Sequence, residues 1–367
     1  MNKKIRAVSA IILVALWAVL TGFMWFGPRQ DVSASERRPL QQMPEINATE
    51  IFSGNFMKVF EDFTLDQFPL RDSFRTLKSL YSYGVMQQKD NNNIYIADGY
   101  AAKLEFPVKE VSVNYALKIF NDIYDQYLQG TDVNTYLAVI PDKGYYLAEE
   151  NGYPAMDYTQ MFSAMHTGMP WATPVDLTAT LDITDYYYTD THWRQEKILD
   201  AAKVLCEAMG VAAPNENAYT PTLMDRPFYG VYYGQAALPM NAEELYIMKN
   251  PVLDACKVYN HEAKRYQRVY DMQKLMGSDP YDVYLSGAQA LLTIENPRAT
   301  TDRELIVFRD SFGSSMVPLL VESYSKIIVV DLRYIGSAVL GQYLNFTNQD
   351  VLFMYSTLIL NSSTGMK

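Results

Sequence analysis

Helix-like and strand-like patterns alternate along the chain from about residue 107 onward, and this alternation constrains the fold more than any other feature. Strands are predicted at 135–140, 304–308, 326–331 and 351–355, and helices at 111–129, 196–209 and 314–324. Strands joined through helices run parallel, because such a crossover returns the chain to the same end of the sheet. The sequence therefore predicts an α/β fold with a parallel sheet and helices on its faces.

The length of 367 residues allows one large domain or two modest ones. The predicted organisation starts with a membrane anchor at 1–28 and a polar, proline-containing linker at 29–48. A helical and hairpin segment follows at 49–106 and is expected to pack on the core. The α/β domain spans 107–367, with an insertion or long loops at 215–300, where regular patterns weaken.

The N-terminus predicts export. Lys3, Lys4 and Arg6 precede an uncharged, mostly apolar run at 7–27, and about 21 residues suffice to cross a bilayer. Basic residues before the run indicate a cytoplasmic N-terminus and a single-pass protein of the cell membrane, with the bulk of the chain outside. The alternative is secretion after cleavage of a signal peptide near the small residues at 32–34.

Composition excludes several classes of protein. The net charge of -11 argues against a nucleic-acid surface, while a polysaccharide partner is compatible with it. The 29 tyrosines fit either a sugar-binding surface or ordinary core and sheet positions. Cys206 and Cys256 are the chain's two cysteines, which excludes a disulfide scaffold and a four-cysteine zinc site. Cys206 is expected as a buried free thiol, and a single bridge between the two stays open.

The candidate chemistry lies in two short segments that are far apart in sequence. Asp190 and His192 stand in segment 186–193, and Ser311 stands in segment 308–313. Ser311 falls on a turn between a predicted strand and a predicted helix, at the sheet edge where α/β folds bind ligands. If segment 186–193 is extended, Asp190 and His192 point the same way, so that the carboxylate orients the imidazole. These three groups suffice to activate a serine for acyl transfer.

The same residues have other interpretations. Ser311 could be only a helix N-cap, since serine and aspartate are favoured there. His192 could be a structural histidine near a helix N-terminus. Asp182 and Asp185, together with Asp190 and this histidine, could form an oxygen-rich metal site.

Three further residues are candidates for binding substrate or a developing oxyanion: Lys143, Arg333 and Gly313. Lys143 and Arg333 each follow a predicted strand and should share the sheet edge with the serine. Gly313 would let the backbone approach the substrate, and N–H groups at the helix start could receive the oxyanion. Structural ion pairs with Asp331 or Asp310 explain the two cations equally well.

These motifs together resemble those of the DHHW proteins. Segment 190–193 matches the motif that names this family, with Thr191 in place of the first histidine, and segment 309–313 is similar to its nucleophile block. Segments 38–40, 66–72, 141–143 and 330–334 add matches in the same order. The family is similar to the SGNH-hydrolase-like domains of alginate O-acetylation proteins, in which the acid and the histidine also precede the serine. Arg309 stands where ordinary SGNH enzymes have glycine.

The resemblance implies a flavodoxin-like three-layer α/β fold with Ser311 as nucleophile, His192 as general base and Asp190 as orienting acid. It also implies addition or removal of O-acetyl groups on cell-envelope polysaccharide by a membrane-anchored, extracytoplasmic acyltransferase or esterase. This chemistry needs no metal or organic cofactor. A transferase would need an acetyl donor delivered by a membrane partner, whereas an esterase would not. The alternative is a catalytically silent glycan-binding or assembly subunit with the same fold.

Overall fold

The computed structural model describes residues 3–367 of the chain. Within these residues the α-helices, numbered in chain order, are α1 Lys3–Phe26, α2 Ala48–Phe52, α3 Asn55–Asp66, α4 Arg71–Gly84, α5 Glu110–Ile123, α6 Lys143–Leu147, α7 Tyr158–Gly168, α8 Leu199–Ala208, α9 Val231–Ala236, α10 Pro251–Ala255, α11 Gly313–Leu320 and α12 Thr357–Leu360. The strands are β1 Val32–Ser33, β2 Arg38–Pro39, β3 Asp90–Asn91, β4 Ile94–Ala97, β5 Tyr100–Lys103, β6 Asn134–Ile140, β7 Thr173–Pro174, β8 Thr220–Leu223, β9 Tyr246–Lys249, β10 Lys257–Asn260, β11 Arg265–Gln267, β12 Leu291–Glu295, β13 Glu304–Arg309, β14 Lys326–Val330 and β15 Asp350–Ser356.

Eight of these strands form one sheet, in the order β7-β6-β15-β13-β14-β12-β10-β11. The first five run parallel, and the last three are antiparallel to their neighbours. The predicted parallel sheet is therefore present only in part, and the sheet as a whole is mixed. The antiparallel strands come from residues 257–295. A short turn joins β10 to β11, and a short connection can only return the chain antiparallel.

Both faces of the parallel strands are buried, as expected for a sheet between helices. Ala138 and Val307 belong to the apolar cluster on one face, which also contains residues of α8 and α11. Leu137 and Phe308 belong to the cluster on the other face, together with residues of α5 and α7. Successive strand residues alternate between the two clusters because side chains along a strand point to opposite faces. The strands thus read as continuous apolar runs in sequence.

The carboxyl ends of β6, β13 and β14 lie at the same edge of the sheet, because these strands are parallel. The loops that leave this edge begin at Pro141, Asp310 and Asp331. β13 lies between β15 and β14, so its loop emerges in the middle of the parallel part. That loop contains Ser311.

The chain divides into two compact units. One comprises Met1–Asn91 with Tyr233–Pro239, and the other comprises Asn92–Tyr232 with Met240–Lys367. The second unit contains the eight-stranded sheet and the antiparallel β4–β5 hairpin. Cys206 and Cys256 are buried here as free thiols, so the bridge that the sequence left open is not formed.

The first unit is mainly helical. Its helices α2, α3 and α4 lie within residues 48–84, largely in the predicted helical and hairpin segment at 49–106. Arg38 donates two hydrogen bonds to Asp66, at 2.8 and 2.6 Å, and Arg71 pairs with Glu36. These ion pairs join the segment that follows α1 to the end of α3 and the start of α4.

One helix within residues 3–367, α1, is long and apolar enough to cross a membrane, with a mean hydropathy of 2.3 and none of its apolar window buried. Its length is about 36 Å at 1.5 Å per residue. A membrane anchor and an N-terminal signal sequence share these properties.

Candidate active site

The turn that carries Ser311 is held by the side chain before it. Asp310 Oδ1 accepts a hydrogen bond from the backbone N–H of Phe312 at 3.0 Å. Its Oδ2 accepts one from the N–H of Ser356 at 2.7 Å, at the end of the neighbouring strand β15. No side chain caps α11, so the structure does not use Ser311 as an N-cap. Asp310 fixes the turn and leaves the serine hydroxyl available.

Arg309 is buried beneath this turn, where its Nη1 donates to the carbonyl of Asp310 at 3.2 Å and its Nη2 to that of Gly287 at 3.1 Å. Burial lowers the pKa of its guanidinium. A Cβ on Gly313 would lie 2.7 Å from Arg309 Cβ, and the Gly313 N–H donates to the Asp310 carbonyl at 3.1 Å. The close approach that needs glycine at 313 is therefore to this arginine.

Asp190 and His192 lie in a tight loop, so the extended geometry that would align their side chains is not the one present. Tyr186 and Trp193 form an antiparallel bridge at the base of the loop, and the Tyr187 N–H donates to the His192 carbonyl at 3.1 Å. At its tip the His192 N–H donates to Asp190 Oδ1 at 3.0 Å. This local bond between an aspartate and the backbone two residues on turns the chain, and it brings the two side chains together without strand geometry.

The structure brings the three predicted residues into direct contact. His192 Nδ1 lies 2.5 Å from Asp190 Oδ1, and His192 Nε2 lies 2.7 Å from Ser311 Oγ. Asp190 is fully buried and the His192 residue is 7% exposed. A carboxylate at Nδ1 favours the tautomer with a proton on that nitrogen. The lone pair of Nε2 then faces the serine hydroxyl, as a general base requires.

Asp190 is also held from the opposite side by residues that the sequence gave no reason to choose. The Val231 N–H donates to Asp190 Oδ2 at 2.8 Å. A Cβ on Gly230 would lie 2.3 Å from Asp190 Cα, so only glycine fits here. Backbone donors have no residue signature, and a single glycine in an irregular segment is too weak a signal to reveal them.

A second missed residue is Tyr281, whose ring stacks on the His192 ring with centroids 3.9 Å apart and planes 8° apart. Its hydroxyl lies 2.8 Å from Ser315 Oγ. Trp193 Nε1 donates to the same Ser315 oxygen at 2.8 Å. The imidazole is thus held by stacking on its face and by hydrogen bonds at its two ring nitrogens. One tyrosine among 29 carries no distinguishing pattern in sequence.

Lys143 lies behind the loop and is buried. Its Nζ donates to the carbonyls of Tyr187 and Tyr188, at 2.9 and 3.3 Å, and lies 5.0 Å from the ring centroid of Tyr232. Burial lowers the pKa of Lys143 to about 7, although the nearby carboxylates of Glu243 and Asp190 oppose this shift.

Glu243 holds the other edge of the same loop. Its carboxylate accepts hydrogen bonds from the N–H groups of Tyr188 and Thr189 and from the Thr189 hydroxyl. Burial raises the pKa of this carboxyl. Lys143 and Glu243 together form what we term the loop clamp. It satisfies backbone carbonyls with a cation and backbone N–H groups with an anion.

Arg333, the other predicted cation, lies at the same sheet edge but is paired with Asp331. Its Nε and Nη2 donate to the two oxygens of that carboxylate, at 2.9 and 2.6 Å. Burial acts to lower the pKa of Arg333, but the bidentate pair and the charge of Asp331 outweigh it, so the pKa is raised. Asp331 is also 3.5 Å from Arg309 Nη1, so it stands between the two arginines.

The aspartates considered as metal ligands are engaged elsewhere. Asp182 accepts from the Thr184 N–H at 2.6 Å, and Asp185 accepts from the Asp182 N–H at 2.8 Å. The two thus form a capping box for a short 3₁₀ turn. Across residues 3–367, no group of three or more His, Cys, Asp and Glu side chains is arranged to hold a metal.

Fold and site together define the class. This is an α/β protein with a mixed sheet. At the carboxyl edge of its parallel strands, an aspartate contacts a histidine, and the histidine contacts a serine. Such a constellation is recognised by geometry and not by the order of its residues in the chain.

Comparisons with known proteins identify the relatives. The family model described as DHHW protein matches residues 160–330. A DHHW family protein from Eubacterium siraeum is 22% identical, with a TM-score of 0.62 over 75% of this chain and 95% of that one. The predicted resemblance to DHHW proteins is confirmed. No curated protein matches the sequence.

Two further solved structures are similar to the chain at lower identity. Bacillus cereus PatB1 with a sulfonyl adduct is 18% identical, with a TM-score of 0.57 over 73% of this chain and 94% of that one. The O-acetyltransferase domain of Pseudomonas putida AlgJ is 15% identical, with a TM-score of 0.45 over 73% and 92%.

Proposed function

We propose that the chain is a serine acyltransferase or esterase that adds or removes O-acetyl groups on a cell-envelope polysaccharide. The observation that carries the proposal is the chain of contacts from Asp190 through His192 to Ser311, at 2.5 and 2.7 Å. In this proposal Ser311 is the nucleophile, His192 the general base and Asp190 the acid that orients it.

The reaction would proceed through an acetyl-enzyme. His192 Nε2 takes the proton of the Ser311 hydroxyl while Oγ attacks the carbonyl carbon of an acetyl ester. The tetrahedral intermediate collapses as the donor alcohol leaves with the proton from the imidazole, and acetyl-Ser311 remains. A sugar hydroxyl or water then loses a proton to His192 and attacks the same carbon. The serine is released with an acetylated sugar or with acetate, and no metal or organic cofactor takes part.

The backbone N–H groups after Ser311 are the candidate donors to a developing oxyanion. The N–H groups of Phe312, Gly313 and Ser314 bond within the turn, to Asp310 and Ser311. They therefore support the turn more than they support an oxyanion. Arg333 stays a candidate for binding the substrate at this edge, whereas Lys143 is engaged with the carbonyls of the loop.

The location and the partners follow from α1 and from the surface near the site. We propose that α1 is a single-pass anchor with a cytoplasmic N-terminus, since Lys3, Lys4 and Arg6 precede its apolar run. Tyr188, two residues before Asp190, is 42% exposed, and its ring stacks on Tyr100 with centroids 4.2 Å apart. Exposed aromatic faces of this kind suit a sugar substrate. A transferase would also need a membrane protein that delivers acetyl groups.

The proposal includes flavodoxin-like layering and the division of the chain into segments. Helices on both faces of the sheet support flavodoxin-like layering. We retain 1–28 as the signal anchor, 29–48 as a linker, 49–106 as a helical and hairpin segment, and 107–367 as an SGNH-like domain.

Hydrolysis of 4-nitrophenyl acetate by the full chain in detergent tests the serine. Ser311→Ala should lower the rate at least 10³-fold, on the order expected for loss of a triad nucleophile. Ser314→Ala, three residues further on in α11, is the matched control and should keep the wild-type rate. Equal rates for wild type and Ser311→Ala would favour the silent glycan-binding subunit.

Covalent labelling gives an independent test. PatB1 has been solved with a sulfonyl adduct, and sulfonyl groups react with activated nucleophiles. Phenylmethylsulfonyl fluoride should therefore label Ser311 in wild type, and peptide mass spectrometry should find no label in His192→Ala. Acetyl-Ser311 that accumulates with 4-nitrophenyl acetate and hydrolyses slowly would favour a transferase over an esterase.

A further inference from the structure

Helix α4 buries its polar face and exposes its apolar face, the reverse of an ordinary surface helix. Its buried residues are Ser79 and Ser82, and both are polar. Ser79 Oγ donates to the carbonyl of Ala236 at 2.7 Å, and Arg75 Nη2 donates to that of Gly234 at 2.7 Å. Asn91 Nδ2 donates to Ser79 Oγ at 2.6 Å. Specific hydrogen bonds thus fix the polar face of α4 inward.

The opposite face of α4 is apolar and exposed. Phe74, Leu77, Leu80 and Tyr81 are 45%, 61%, 47% and 54% exposed. Their spacings of three and four residues place them on one side of the helix. We call these four side chains the α4 apolar face. A soluble protein normally buries such a stripe, and a contiguous exposed one marks an interaction surface.

The start of α4 lies beside the end of the apolar helix α1. Phe23 of α1 lines a cavity of about 670 Å³ together with Phe68, Leu70 and Ser73, which lead into and begin α4. The Trp25 ring also contacts Phe60 of α3, with centroids 5.8 Å apart. The last turn of α1 is therefore seated against the helices that follow it.

The contacts of α1 with the start of α4 set the depth of α4 in a membrane. If α1 spans the bilayer, Trp25 at its outer end lies at the level of the headgroups, where tryptophan is enriched. The first residues of α4 must lie at the same level, because they line one cavity with Phe23. Neighbouring apolar side chains are exposed as well, with Met57 and Leu65 of α3 at 63% and 62%.

We propose that the α4 apolar face lies in the non-cytoplasmic leaflet of the same membrane that holds α1. The occupant of this face is lipid, and α4 acts as an interfacial helix whose apolar side enters the boundary between headgroups and acyl chains. Its polar side stays bonded to the protein. The inference rests on the anchoring role of α1 under the proposed function, and it adds a second membrane contact that would orient the chain on the bilayer.

Site-directed fluorescence on the full chain in phosphatidylcholine–phosphatidylglycerol vesicles tests this proposal. Both native cysteines are buried, so a bimane label would attach selectively at Leu77→Cys. Lys118→Cys, at an exposed lysine of α5, is the control. Lipids carrying a nitroxide near the headgroup should quench the label at 77 at least about threefold more than the label at 118, because the quencher acts only at short range.

The outcomes separate this inference from the proposals on which it rests. Carbonate extraction reports whether α1 holds the chain in the vesicles, and 4-nitrophenyl acetate reports the serine chemistry. A chain that resists extraction but shows equal lipid quenching at 77 and 118 overturns the α4 proposal alone. A label at 77 that is shielded from iodide but not quenched by lipid indicates a protein partner and also overturns it. Release of the chain by carbonate overturns both the anchoring and the α4 contact.

Discussion

At the scale of single residues, the candidate site depends on how one imidazole is fixed. His192 is held at Nδ1 by Asp190 and stacked on by Tyr281, and its Nε2 is directed at Ser311. Each contact removes rotational freedom before any substrate binds. A serine hydroxyl is a poor nucleophile by itself, so a base fixed in advance within hydrogen-bond reach is what the proposed chemistry requires.

Asp190→Asn tests the orienting acid. The amide has one accepting oxygen, so it keeps the bond from the His192 N–H or the one from the Val231 N–H and loses the other. Circular dichroism checks that the variant is folded. The amide no longer favours the proton on Nδ1, and we expect the rate constant for 4-nitrophenyl acetate hydrolysis to fall about 10³- to 10⁴-fold. Asp182→Asn, at an exposed capping aspartate, is the control and should stay within twofold. A similar rate in Asp190→Asn would contradict the role assigned to this carboxylate.

Gly230→Ala tests the backbone contact behind the acid. The new methyl group would meet the Asp190 backbone at 2.3 Å, and overpacking of this kind costs about 1–3 kcal/mol. We expect a lower melting temperature and at least a tenfold loss of esterase activity. Gly365→Ala is the matched control, because its Cβ would meet open space. Unchanged activity in Gly230→Ala would mean that the loop yields without moving the carboxylate.

At the scale of elements, the site is a meeting of two loops with different supports. The Ser311 loop is fixed by strands β13 and β15 through Asp310. The loop at 186–193 has little regular structure and depends on the loop clamp of Lys143 and Glu243. Buried charges are stable only when their hydrogen bonds are met. The hydrogen bonds of Lys143 and Glu243 are satisfied by backbone groups of the loop that carries His192.

Lys143→Met tests the loop clamp through the pH dependence of the free energy of unfolding. Burial lowers the pKa of Lys143 to about 7 in the folded protein, against 10.5 for a solvent-exposed lysine. Between these values the unfolded chain holds the extra proton, so this lysine's contribution to stability rises with pH and is lost as pH falls towards 7. We expect the free energy of unfolding of wild type, relative to Lys143→Met, to rise between pH about 7.5 and about 9.5. The slope should not exceed about 1.4 kcal/mol per pH unit.

Denaturant titrations at several pH values measure this difference. Lys118→Met, at an exposed lysine, should keep the wild-type slope. Parallel stability curves for wild type and Lys143→Met would show that Lys143 keeps its proton in the folded protein. We also expect Lys143→Met to retain part of its esterase activity, since the lysine contacts the loop and not the three reacting side chains.

At the scale of the whole molecule, the sheet brings distant segments together. The serine and the histidine in contact are 119 residues apart in sequence. The large core between the sheet and its helices also encloses both cysteines. Burial raises the pKa of the Cys206 and Cys256 thiols to about 11 and about 12, and a protonated, buried thiol is unreactive.

Thiol titration tests this description of the core. Neither cysteine should react with 5,5′-dithiobis(2-nitrobenzoic acid) in the folded protein at neutral pH, and both should react in guanidinium chloride without added reductant. Electrophoretic mobility should be the same with and without reductant. Fewer than two thiols in the unfolded, unreduced chain would reveal a disulfide that the structure lacks.

The parallel half of the sheet could be predicted from sequence because its strands are buried on both faces. Runs such as 305–308 are apolar without a break, and turns follow them. The antiparallel edge could not be predicted, since β10 to β12 are short and lie among irregular segments. The spacing of Asp190 and His192 aligns the two side chains if segment 186–193 is extended, but a side chain–backbone bond at the tip of this loop folds it back. That bond competes with strand geometry in a way that residue spacing alone does not reveal.

The sequence by itself determined the apolar periodicity, the membrane-length helix and the residue types able to activate a serine, because these are properties of short segments. Only the tertiary structure decided that Tyr281 covers the imidazole, that Val231 and Gly230 support Asp190, and that Lys143 and Glu243 hold the loop. Such contacts join residues roughly 40 to 90 positions apart. Many of them use backbone groups that every residue carries, so no local pattern can specify them.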